Sequence, residues 1–171
     1  YAKSILAELT EATWKPVGYQ GDLYVLNPVT GLWERQPFEA LIRMVAERHD
    51  AKDHCSRASD YRAIADHAIS LASDDAFFAD VPNGLACPGG FYQIVGNEIA
   101  LVPLTPDHRQ RVMLDFTPAK MPTPLFDKFL HETFQSIHDG EEVQQVTLLQ
   151  EIVGGIMLGI LYKYQIAILL Y

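Results

Sequence analysis

The hydrophobic and polar positions of this chain change period several times. Residues 1–13, YAKSILAELTEAT, bring Ile5, Leu6 and Leu9 to one side of a helix. Then Leu23 and Val25 alternate with Tyr24 and Leu26, the period of two that marks a strand. Asn27-Pro28-Val29-Thr30-Gly31 is turn chemistry, and Leu32-Trp33-Glu34 resumes extension, which predicts an N-terminal β-hairpin. A stripe of Leu41, Ile42, Val45 and Ala46 predicts an amphipathic helix over 38–49. The polar stretch AKDHCSRASD reads as a loop, with Ser59 or Asp60 placed to cap a helix over about 60–73.

The middle of the chain is punctuated by Gly84, Pro88, Gly89, Gly90 and Gly96. Phe91–Val95 and Glu98–Val102 read as short strands joined by the turn VGNE, and RVMLDF (111–116) as a further strand. Residues 81–118 thus form a small β-rich insert, followed by an extended linker, PAKMPTP, over 118–124. Helices are expected over 125–135 and about 140–162, broken at Asp139-Gly140. Helices bracket hairpins, and no βαβ alternation occurs. The expected class is therefore α+β, mainly helical with an N-terminal hairpin and a central β-rich insert. The last residues, KYQIAILLY, contain the unbroken apolar run Ile166 to Leu170, suited to a buried strand. One alternative takes all of 152–171 as a membrane anchor, with Gly155 and Gly159 spaced as G-x-x-x-G. Lys163 inside that stretch opposes it, because a central Lys costs roughly 3 kcal/mol on insertion.

Charge narrows the function classes. The formal net charge is −9, so the molecule as a whole repels phosphate backbones and any contact with DNA needs a local basic patch. Cys55 and Cys87 stand apart, which fits a reducing compartment. His49, Asp50, Asp53, His54 and Cys55 crowd together, but no second cluster completes a metal site, so no metal ligand is assigned. His131 and His138 have no evident carboxylate partner, Cys87 has no evident base, and GGFYQIVG lacks dinucleotide-binding spacing. No catalytic residue is assigned either. Trp33 and Tyr92 are of the type that stacks on bases, with core packing as the competing reading and no basic residue near Tyr92. The best basic patch is DHRQRVML. The candidate DNA-contact residues are therefore His108, Arg109, Arg111 and Trp33.

Taken in order, LYVLNPVTGLWER, PNGLACPGG, LVPLTPDHRQRVMLDFTP, PTPLFDKFLHETF, LLQEIVGGIMLG and KYQIAILLY resemble the domain that precedes the superfamily 3 helicase in phage, plasmid and poxvirus primase-helicases. The resemblance rests on Trp33, Asn83-Gly84, Pro124 and Phe126 before Phe129-Leu130, and Leu149-Gln150-Glu151 before Gly154. It implies that residues 1–164 are a linker or collar domain without catalysis of its own. Residues 165–171 would then be the first core strand of an ATPase, leading into a G-x-x-x-x-G-K-[ST] loop. It also implies a parent protein that is an ATP-dependent DNA helicase and primase, with ATP and Mg held outside this segment and none within it. The implied partners are the adjoining helicase and primase domains, and DNA through the parent. Hexamer formation would come only with the helicase domain, in the cytoplasm and away from membranes. The reading from another class is a stand-alone acidic protein-interaction domain.

Overall fold

A computed structural model describes residues 1–49, 55–96, 98–134 and 142–161. The class is α+β, with small antiparallel sheets and flanking helices. The chain divides into two compact units.

Unit 1 comprises Tyr1–Pro82 and Leu104–Met113. It contains α1 (Ala2–Glu8), β1 (Val17–Tyr19), β2 (Asp22–Leu26), β3 (Trp33–Gln36), α2 (Phe38–His49) and α3 (Ala58–Leu71), plus a 3-10 turn at Pro106–His108. The sheet is antiparallel in the order β1-β2-β3. The β1–β2 connection is the pair Gln20-Gly21, with φ of 50° and 82°. Positive φ at both central residues is what a hairpin turn matched to strand twist requires. The second turn is tied by Asn27, whose Oδ1 accepts the Val29 N–H at 2.8 Å while Gly31 takes φ 72°.

Alternation along β2 sends side chains to two packed faces. Leu23 turns to the helices, in a core with Leu41 of α2 and Ala65 of α3. Tyr24 and Leu26 turn the other way, into a cluster with Val17, Trp33 and Phe78. Both faces of the hairpin are therefore covered, each buried large side chain contributing about 1.5–3 kcal/mol. Gly18 sits where α3 ends: its N–H donates to the Ala72 carbonyl and its own carbonyl accepts from the Asp74 N–H, each at 2.8 Å.

Helix α2 forms over the predicted residues. Helix α3 begins at Ala58, two residues before the expected start, because Asp60 acts from the first turn and not as the cap. Its carboxylate accepts the N–H groups of Arg57 at 3.0 Å and Ser56 at 3.2 Å. Those bonds stabilise the ionised form and hold its pKa below the ordinary carboxylate value.

Unit 2 comprises Asn83–Pro103 and Leu114–Tyr171. Strands β4 (Gly84–Cys87), β5 (Gly90–Val95) and β6 (Glu98–Val102) form an antiparallel sheet in that order. Helices α4 (Pro124–Phe134) and α5 (Glu142–Met157) follow. Strand β6 matches the predicted span, β5 begins one residue earlier than predicted, at Gly90, and β4 is an addition. The expected strand over 111–116 does not form: Arg111–Met113 belongs to unit 1, and Leu114 makes a single ladder-like bond to the Ala86 carbonyl at 2.9 Å. The break at Asp139-Gly140 and the run 165–171 lie outside the described residues. Among the described residues, no helix is long and apolar enough to cross a membrane.

Candidate nucleic-acid interface

The segment 104–113 carries the basic candidates, and β3 fixes it in place. Trp33 donates twice: its backbone N–H to the Gln110 carbonyl at 2.8 Å, and its indole Nε1–H to the Pro106 carbonyl at 3.1 Å. The Arg109 N–H closes the 3-10 turn on the same Pro106 carbonyl at 3.0 Å. Arg109 adopts φ 50° and ψ 35°, a left-handed conformation costing about 1 kcal/mol in a residue with a Cβ. That conformation reverses the chain, so Arg109 and Arg111 both reach the aromatic cluster.

The two guanidinium groups lie on ring faces. Arg109 is 4.9 Å from the Phe77 ring centroid, and its Nη1 donates to the Phe77 carbonyl at 2.8 Å. Arg111 lies 5.0 Å from Phe78, 5.7 Å from Tyr19 and 5.8 Å from Tyr24. Such contacts are worth about 0.5–1 kcal/mol when exposed and up to about 2 kcal/mol when desolvated. Among the described residues, neither arginine has a carboxylate within 4.0 Å. In an acidic chain, two arginines without acidic partners keep their field for an external anion.

Arg35 completes the arrangement. It pairs directly with Tyr24 across the β2–β3 ladder, and its Nε lies 2.8 Å from Asp22 Oδ2. The hydrogen bond to that carboxylate, and then its charge, push the Arg35 pKa up. Arg35, Arg109, Gln110 and Arg111 line one open groove of about 410 Å³, floored by Tyr24 and Trp33 and flanked by Val81 and Val112. Among the described residues, no Asp or Glu lines it.

Comparison with protein-family models and with curated proteins finds no match.

Arg109 and Arg111 both line the groove. His108 belongs to the turn that precedes them; its Nδ1 meets the Thr105 N–H at 3.0 Å, so that edge of the ring is engaged within its own turn. Trp33 is 1% exposed, with Phe77 at 4.8 Å and 72° and Trp14 at 6.1 Å and 84° against its ring. Its faces are closed to a stacking base, and its place is that of an anchor beneath the arginines. Arg35 and Gln110 were not singled out by sequence. The signal for Arg35 is its period-two spacing from Trp33 on β3, which puts both on one face.

The other clusters fall away from the groove. Cys55 is buried with Ile5 and Val45, and His49 packs on Tyr1 with ring centroids 4.5 Å apart. Asp50, Asp53, His54 and His138 lie outside the described residues. Cys87 is buried at the end of β4, and the Tyr92 hydroxyl donates to the Pro118 carbonyl at 2.7 Å.

Proposed function

We propose that this chain is the accessory domain of a phage- or plasmid-type DNA primase-helicase. It links the primase and ring-helicase parts and engages the DNA passing between them. The observation that supports DNA engagement is the groove in which Arg109 and Arg111, neither with an acidic partner among the described residues, meet Arg35, which Asp22 holds, in a chain of net charge −9. A phosphate backbone is a polyanion, and planar guanidinium groups bind its oxygens in pairs. The order of motifs resembling that family supplies the parent: an ATP- and Mg-dependent motor in the cytoplasm, assembling as a hexamer through its helicase domain. In this reading residues 1–171 position DNA and neighbouring domains and leave ATP hydrolysis and primer synthesis to the rest of the protein.

The test is binding of a short, fluorescently labelled single strand at low salt, read by anisotropy. The double variant R109E/R111E should bind at least about tenfold more weakly, since two attractive charges become repulsive. Equal binding by both proteins would remove the groove from the account.

A further inference from the structure

The groove presents guanidinium groups where a base-stacking site would present ring faces. Phe77 and Phe78 stand edge to face at 4.9 Å and 88°. Tyr24 meets Phe78 at 5.0 Å and 63°, and Tyr19 meets it at 5.2 Å and 73°. Trp33, Phe78 and Tyr24 are 1%, 5% and 9% exposed. Tyr19 and Phe77 are half-buried, and the arginines of the groove cover the rings: Arg109 lies over Phe77, and Arg111 over Phe78, Tyr19 and Tyr24. A base stacking on the guanidinium-covered faces would have to displace an arginine, and Arg109 is held by the Phe77 carbonyl as well. The guanidinium of Arg111 donates to no described residue, so its planar fork of N–H groups is left for an acceptor from outside.

We infer that this groove recognises the phosphate backbone of a nucleic acid and draws none of its affinity from bases, the aromatic residues serving to position the arginines. The inference rests on the DNA-engaging function proposed above. It separates this site from single-strand binders in which successive bases stack on exposed rings. It also gives the aromatic cluster a second duty beyond burial. A guanidinium held on ring faces has less freedom to lose when a phosphate arrives, so Tyr19 acts on the ligand through Arg111.

The test uses the full chain and two labelled oligonucleotides of equal length, one of mixed sequence and one with an abasic backbone. Each aromatic–base stack is worth fivefold or more in affinity, so a stacking site loses at least about fivefold on the abasic strand. The expected result is a difference well under fivefold, with both strands released by R109E/R111E. Abasic binding weaker by fivefold or more, with the base-bearing strand still bound, would overturn the inference and leave the DNA-engaging reading standing. Failure to bind either strand would overturn both. A second readout is Tyr19→Leu, checked for folding by circular dichroism. It should weaken the two strands by the same factor, and a loss confined to the base-bearing strand would contradict a positioning role.

Discussion

Trp33→Phe isolates the bond that fastens the arginine-bearing segment to the sheet. The substitution keeps an aromatic ring against Phe77 and Trp14 and leaves the backbone bond to Gln110 in place. It removes the Nε1–H donation to Pro106. The Pro106 carbonyl retains the Arg109 N–H, so it is not orphaned, and the lost bond costs about 1 kcal/mol. Trp33 is 1% exposed, so the smaller ring also leaves a gap. Full truncation of such a residue costs about 3–5 kcal/mol, and removing part of the ring about 1–2 kcal/mol of that. The expected destabilisation is therefore about 2–3 kcal/mol. Urea unfolding followed by Trp14 emission reads it, because Trp14 packs on the same cluster. At a slope of about 2 kcal/mol/M the midpoint should fall by about 1 M. A shift below about 0.3 M would refute the anchoring role.

Two further substitutions test the frame that carries the groove. Alanine at Gly18 would place a Cβ 2.5 Å from the Ile69 carbonyl oxygen and 3.1 Å from Ser73 backbone atoms, none of which can rotate away. Overpacking and the strained bonds to Ala72 and Asp74 should cost about 2–4 kcal/mol, measured by urea unfolding; a neutral variant would show that β1 does not dock as described. Asp60→Asn tests the start of α3: the folded-state pKa of Asp60 is lowered, so its stabilisation is fully present above the unfolded value near about pH 4 and is lost as pH falls through the folded value. Wild type should therefore melt above D60N at neutral pH, the gap closing in acid, and a gap unchanged down to acid pH would contradict the bonds from Ser56 and Arg57.

What the sequence made legible follows the length and regularity of each element. The apolar stripe of α2 and the alternation of β6 located those elements to the residue, and that of β5 to within one, because each repeats its signal over a face. Strand β1 is three residues long and contains Gly18, so it offers almost no alternation; its pairing depends on the Gln20-Gly21 turn. Strand β4 is short and lies in a glycine-rich stretch for the same reason. RVMLDF alternates like a strand, but its first residue is drawn to the aromatic cluster by ring contacts that span the sequence from Tyr19 to Phe78. At the site, Arg109 and Arg111 were visible as a local patch. Arg35 was not, since its place depends on the pairing of Tyr24 with Arg35 across the hairpin. The Phe77-Phe78 doublet gave no sign that its rings would support cations, because the arginines lie some thirty residues further on.

The central claim is that Arg35, Arg109 and Arg111 act together on a phosphate backbone, and its most direct measure is the salt dependence of single-strand binding. On a single strand, each phosphate neutralised contributes about −0.7 to the slope of log affinity against log salt. Arg109 and Arg111, which lack acidic partners among the described residues, account for about −1.4, which R109Q/R111Q should remove, while Arg35→Gln should change the slope by less than about 0.7, because Asp22 already offsets its charge. A wild-type slope near zero, or slopes that stay parallel across these variants, would contradict the account.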